Sequence, residues 1–303
     1  MGQHRVSVRE GKDHKPVHLA AQLPGGQIEF ESLARLAQTA ERGLFDFVIL
    51  AEGRGHTDPF TALAALSGIT ERVGLVGTVD LTINEPFEVA RQFATLDHLS
   101  DGRAGWNIAA TSEVVPEFLE VARQFWDTWE PGAVVADEGA GIYIDPGRVH
   151  RVAHRGRHFE VRGMATLPAG PQGHPVLLHG SDTASLDFGV TQADVLLTRY
   201  VALEPSRRGP QRLKVFAVVD GLAQLGDTAA HVADEIDRYV QSGACDGFIL
   251  ADLTPPGLDQ FVDTVVPILQ ARDVFHTEYH GVTLREHLGL GMPRTAPSVI
   301  GTR

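Results

Sequence analysis

The chain has 303 residues, 43% hydrophobic and 21% charged, enough for a large buried core and typical of a globular protein. Its 26 basic and 39 acidic residues leave a net charge of −13, which argues against a nucleic-acid or anionic-membrane surface. The single cysteine, Cys245, excludes an intrachain disulfide and suits a reducing cytoplasm; no apolar run approaches the ~18 residues of a membrane span, and no signal-peptide core is present.

Residues 1–16 are polar and expected to fray. Beyond them, short apolar runs rich in Val, Leu and Ile predict strands at 17–22, 45–52, 73–80, 103–110, 175–180, 193–200, 212–219 and 246–252. Amphipathic helices fall between several of them. "FESLARLAQTAERGLFD" puts Leu33, Leu36, Ala37 and Ala40 on one face, with Gly43 as its stop signal. "PFTALAALSGIT" opens behind Asp58 and Pro59, a cap followed by a first-turn proline. "PFEVARQFATLDHL", "PEFLEVARQFWDTW", "DTAAHVADEIDRYVQSG" and "LDQFVDTVVPILQAR" repeat the pattern. Residues 131–173 break it, being rich in Gly, Arg and His without helical period, and read as a long excursion carrying a small hairpin around 158–161.

Eight strands, most followed by a helix, in about 300 residues is the arithmetic of an α/β fold of the (β/α)8 TIM-barrel type. With no internal repeat or linker, one domain over 1–303 is expected. A doubly wound open sheet is the alternative, weakened because no Gly-x-Gly-x-x-Gly follows the first strand. No Gly-x-Ser-x-Gly elbow offers a serine nucleophile, and no Cys/His/acid cluster has metal-ligand spacing. His18, inside the first strand, reads as a satisfied core histidine.

A barrel of this type places its active site at the C-terminal ends of the strands. Those ends are Gln22, Ala51-Glu52, Thr78-Val79-Asp80, Asn107 to Ser112, His179-Gly180-Ser181, Thr198-Arg199, Val219-Asp220 and Ala251-Asp252, a polar ring. Trp106 and Asn107 fall near it, an amide to address a ligand and an indole to wall it. Gly180-Ser181-Asp182-Thr183 opens a helix, where free N–H groups suit a phosphate.

The blocks "AERGLFDFVILAEG", "NEPFEVARQFATLDHLSDGRAGWNIAATS", "PQGHPVLLHGSD" and "FHTEYHGVTLREHLGL" resemble the bacterial-luciferase-like flavin monooxygenases, in the branch of nitrilotriacetate monooxygenase, dibenzothiophene-sulfone monooxygenase and pristinamycin synthase. The resemblance implies a luciferase-like barrel, usually a homodimer. It also implies reduced FMN supplied by a separate flavin reductase, and O2, which together oxygenate a small organic or natural-product-like substrate through a flavin C4a-hydroperoxide. Carried over by position, it gives Glu52, Thr78, Val79, Asn107, Gly180 and Ser181 to the cofactor and Asn107, Asp80 and His179 to catalysis. No metal site is expected, since no cluster has ligand spacing.

This chain also departs from the pattern. The loop expected after Ser112, with a His and a Tyr for the phosphate, is missing, and only "VALEPSRRGP" joins the sixth and seventh strands. Arg199, Arg207 and Arg208 offer replacement charge. Two alternatives follow from the missing loop and the shared barrel: a cofactor-free barrel with a binding or partnering role, and a deazaflavin-dependent oxidoreductase.

Overall fold

The computed structural model describes residues 14–26, 29–51, 57–109, 112–180, 186–199 and 213–293. In chain order its strands are β1 (His18–Gln22), β2 (Phe47–Ala51), β3 (Gly74–Thr78), β4 (Ala104–Ile108), β5 (Val134–Asp137), β6 (Ile142–Ile144), β7 (Val152–Arg155), β8 (Glu160–Gly163), β9 (Val176–Gly180), β10 (Val195–Thr198), β11 (Lys214–Asp220) and β12 (Gly247–Ala251). The helices are α1 (Phe30–Arg42), α2 (Pro59–Ser67), α3 (Pro86–Leu99), α4 (Val115–Trp126), α5 (Leu186–Gln192), α6 (Ala229–Ser242), α7 (Pro255–Thr264), α8 (Val266–Ala271) and α9 (Leu284–His287). Eight of the strands, all parallel to their neighbours, close a barrel in the order β1-β12-β11-β10-β9-β4-β3-β2. Closure overturns the open-sheet alternative.

Local chemistry sets the elements. The Asp58 side chain accepts from Thr61 N–H at 2.7 Å, with Pro59 pre-set for the first turn of α2. Gly43 does end α1, though its φ of −81° is unexceptional and Leu44 takes the positive φ instead. Its reason is space, since a Cβ there would lie 2.5 Å from Val262 Cγ2. The single helix expected over 258–272 is broken at Val265, because Pro267 lacks the N–H that would continue it.

Two faces of each strand go to two cores. Ala20, Phe47, Ile49, Val76, Val176, Leu178, Val195, Leu197, Phe216 and Ile249 fill the barrel, joined by Leu284 and Leu288 of α9 and the turn after it. The alternate positions pack outward on the helices. The C-terminal segment therefore plugs the barrel at its N-terminal end. Leu284 fits because β3 and β4 carry glycine beneath it: a Cβ on Gly74 would meet Leu284 Cδ1 at 2.7 Å, and one on Gly105 would meet Val76 Cγ2 at 2.9 Å.

The excursion differs from expectation in holding two antiparallel hairpins, β5–β6 and β7–β8. The second is the one anticipated around 158–161. Residues 14–16, expected to fray, are tied down: Lys15 N–H donates to Gln241 Oε1 at 3.0 Å. Residues 1–13 lie outside the described residues. Among the described residues no helix is long and apolar enough to cross a membrane.

Candidate active site

The strand alternation that fills the barrel also selects which residue at each C-terminal end faces inward. Two residues beyond Ala20, Ile49, Val76, Gly105, Leu178, Leu197, Val218 and Ile249 lie Gln22, Ala51, Thr78, Asn107, Gly180, Arg199, Asp220 and Ala251. These eight form the inner ring of the mouth. Parallel pairing sets Thr78 beside Asn107 and Gly180 beside Leu197.

Asn107 is 7% exposed and Thr78 9%. Asn107 Nδ2 donates to Thr78 Oγ1 at 2.9 Å, and Asn107 Oδ1 has no partner among the described residues. A hydroxyl both donates and accepts, so turning the amide over would keep the bond and leave the N–H2 end over instead. Either way one polar end of a buried amide is left unsatisfied by the described residues. Among the described residues, a Cβ added at Gly180 would meet nothing within 4 Å.

Other expected site residues stand elsewhere. Trp106 does not wall the mouth: it is fully buried between barrel and helices, stacked on Phe93 at 5.5 Å and edge-on to Trp126 at 6.2 Å. The Val79 side chain also lies in that outer core, leaving only its main chain at the mouth. His179 faces outward too, 1% exposed against Phe188, with Nδ1–H donating to Ile108 O at 2.7 Å. Asp80 shapes the loop after β3, accepting from Thr82 N–H at 2.8 Å and Thr82 Oγ1–H at 2.7 Å. Those bonds, the hydroxyl's first, hold its carboxyl below the usual range, so it is ionised near neutrality and has no proton to give. Glu52, Ser181, Asp182, Arg207 and Arg208 lie outside the described residues.

What the sequence did not single out is the pairing of Arg199 with Asp220, Nη1 to Oδ2, at 2.8 Å. Arg199 is the only Lys or Arg among the eight ring residues, and Asp80, Asp220 and Asp252 stand at the same end. The signal was available: a period of two along β10 runs from Val195 through Leu197 to Arg199.

Below the ring, buried polar groups bind the barrel together. Asp97 accepts from Gln172 N–H at 3.1 Å, Gln172 Nε2 at 2.7 Å and Ala104 N–H at 3.2 Å. Arg285 pairs with Asp194 at 3.1 Å and donates to the carbonyls of His174, Pro175 and Gly291. His18 is the satisfied core histidine expected, bonded to Asp46 at 3.0 Å.

On the flank, Glu117 of α4 accepts from His154 Nε2 at 3.0 Å and from the amides of Arg157, His158 and Phe159. Desolvation opposes its ionisation, but the bonds from His154, Phe159 and His158 prevail and hold its carboxyl down to about 2. The folded value is below the ordinary 4.5, so the stabilisation is complete above that pH and is lost as pH falls towards about 2. Glu117→Gln is expected to lower the urea midpoint at pH 7 and to speed amide exchange at 157–159. The gap from wild type should narrow at pH 3.5, and an equal gap at both pH values would refute the assignment.

An eight-stranded parallel barrel with a polar ring at its C-terminal mouth and a plug at the other end defines a TIM-barrel enzyme architecture. The sequence profile of the luciferase-like monooxygenases matches residues 14–218, and the chain belongs to that family. Nitrilotriacetate monooxygenase component A of Aminobacter aminovorans is 28% identical over 419 positions, covering 90% of this chain and 92% of the relative. A pristinamycin IIA synthase polypeptide of Streptomyces pristinaespiralis, one of the subunits of that enzyme, is 32% identical over 282 positions, covering 87% and 90%. Dibenzothiophene-sulfone monooxygenase of Rhodococcus erythropolis is 28% identical, covering 86% and 89%. A solved structure of a long-chain alkane monooxygenase superposes with a TM-score of 0.79 at 22% identity, covering 91% of this chain and 96% of that one. The branch is the one the motifs indicated, and the chain is a monooxygenase-class enzyme. A 419-position match exceeds the chain's own 303 residues, so the nitrilotriacetate enzyme carries insertions this chain lacks; the pristinamycin synthase polypeptide matches without them.

Proposed function

We propose that this chain is the oxygenase component of a two-component, FMN-dependent monooxygenase acting on a small organic substrate. It would be cytoplasmic and homodimeric, with reduced FMN delivered by a separate reductase. Asn107 carries the reading. A buried amide with one end unpartnered costs the fold roughly 1–3 kcal/mol unless a ligand completes it, and a flavin's polar edge offers both donors and acceptors. Reduced flavin supplies the power to activate O2, and the protein supplies the rest. Asn107, steadied by Thr78, would fix the ring edge, with Glu52 and the Val79 main chain beside it. Gly180 and Ser181 would take the phosphate. Asp80 would keep the β3 loop in shape, and His179 would steady the ends of β4 and β9 from behind, both as positioning groups.

Arg199 would complete the phosphate site in place of the missing His and Tyr. An acidic mouth repels a dianion, and this is the ring's only cation. Its exposed pairing with Asp220 is worth about 0–1 kcal/mol, whereas a charge-assisted Arg–phosphate bond is worth roughly twice a neutral one, so the exchange favours phosphate. Arg199→Ala is expected to weaken reduced FMN about tenfold while leaving reduced riboflavin, which has no phosphate, nearly unchanged. Equal losses for both would remove Arg199 from the phosphate site.

The reading itself is tested by anaerobic titration with reduced FMN, oxidised FMN and reduced deazaflavin. Micromolar binding of reduced FMN, tighter than the oxidised form, supports it. Turnover with deazaflavin and no O2 uptake would move the chain to hydride transfer. A second reading, a partner to a longer family member within one enzyme, is favoured by the gap-poor match to a polypeptide that is itself named as part of a multi-subunit synthase. Absence of any flavin binding by the chain alone would favour that reading.

A further inference from the structure

The barrel mouth is strongly acidic. Asp58 is used to cap α2, and Glu113 pairs with Arg157. Beyond these two, the described residues from the strand ends to the following helices include Glu29, Asp80, Glu85, Asp220, Asp227 and Asp252, against Arg199 as the one basic residue. Outside the described residues, 52–56, 181–185 and 200–212 contain three acidic and four basic residues in sequence, which leaves the excess nearly whole. Like charges around one opening raise the local concentration of cations and lower that of anions.

Two of the carboxylates stand opposite the buried amide. In the closed order β1-β12-β11-β10-β9-β4-β3-β2, β12 lies four places from β4, and β11 four places from β3. Asp220 and Asp252, at the ends of β11 and β12, are therefore across the mouth from Thr78 and Asn107. Register sets Asp220 beside Ala251, and Gly221 N–H donates to Ala251 O at 3.2 Å, so the two residues end neighbouring, bonded strands. Asp220 is held by Arg199. Asp252 is exposed, adopts a φ of 55°, and its side chain enters no hydrogen bond or ion pair among the described residues. The independent sign of a ligand lies on the far side: Asn107 is 7% exposed, and its Oδ1 is unsatisfied by the described residues.

We propose that Asp252, with Asp220, forms a subsite for the protonated amine of the substrate, which lies across the mouth from Asn107. The substrate class is then a small organic ammonium ion, bound by charge-assisted hydrogen bonds, and the same carboxylates turn polycarboxylates away. This rests on the reading of the mouth as the oxygenating site. Under that reading, Arg199 moves to the flavin phosphate and leaves Asp220 beside Asp252 to receive the amine, so the cofactor completes the subsite.

The first measurement needs no flavin. One nitroxide ring carrying an ammonium, a carboxamide or a carboxylate group is added to the full chain, and relaxation of the backbone amides is read. Gly221, Asp252 and Leu253 report the subsite, and Val282, exposed at the closed end, is the reference. At the subsite the ammonium probe is expected to exceed the carboxamide on the order of tenfold, with the carboxylate weakest. Salt should flatten the contrast, and so should Asp252→Asn alone or with Asp220→Asn, in chains whose other amide signals match wild type. Three equal probes, or an ammonium preference unchanged in both variants, would overturn the proposal. The second measurement supplies reduced FMN, a flavin reductase and O2, and compares amines with carboxylates of the same skeleton. Amines are expected to be favoured about tenfold in kcat/KM; a preference for the carboxylates would also overturn it. Absence of turnover with every compound counts against the flavin reading instead, and the relaxation contrast then decides the subsite by itself.

Discussion

Replacing Arg103 by Met is expected to cost the fold about 3–5 kcal/mol. The side chain is 3% exposed, and its five N–H donors are all used. Nε donates to Ser100 O at 2.7 Å; Nη1 to Thr70 Oγ1 and Val73 O, both at 2.9 Å; Nη2 to Ser67 O at 3.2 Å and Thr70 O at 3.0 Å. One guanidinium thus ties the turn after α3 to the end of α2 and the entry to β3. Met matches its length but leaves four carbonyls and a hydroxyl without their donor, each worth about 1–3 kcal/mol if water cannot reach it. Arg103→Lys should recover only part, because an ammonium has three donors and no planar fork. Urea unfolding checks it, and a loss below about 1 kcal/mol for Met would show the network to be dispensable.

Asn107→Ala is expected to do the reverse: keep the fold and lose the ligand. Removing the amide also removes an unsatisfied buried group, so unfolding free energy should change little or rise. Affinity for reduced FMN should drop roughly 10- to 100-fold, the equivalent of about 1.4–2.7 kcal/mol. Anaerobic titration beside a thermal melt separates the two outcomes. Normal binding would sink the assignment of Asn107. A collapse in stability with proportionate loss of binding would make it a structural residue like Arg103.

The contrast between these neighbours explains why the family was easy to read and the site was not. In "DHLSDGRAGWN", Asp97, Ser100, Arg103 and Gly105 serve the closed end of the barrel, as hydrogen-bonding groups or as room for Leu284. The block "TEYHGVTLREHLGL" is the plug itself, with Tyr279 O–H donating to Phe45 O at 2.8 Å and Arg285 buried beneath. Burying so many polar groups demands particular side chains in particular places, which makes for a distinctive motif. Of the first block only Asn107 reaches the mouth.

The sequence by itself determined the eight strands, the barrel and the family. Those follow from apolar runs of strand length, helices of matching period and buried polar motifs, all of which are local. It also listed the strand ends. Only the tertiary structure decided which residue at each end faces the lumen, because adjacent residues point to opposite faces and closure of the barrel fixes which face is inside. That rule turned Trp106, Val79 and His179 outward and brought Thr78, Asn107, Gly180, Arg199 and Asp220 together. It also exposed the β5–β6 hairpin, since a strand with no helical or sheet cover cannot be told from a buried one by its residues alone.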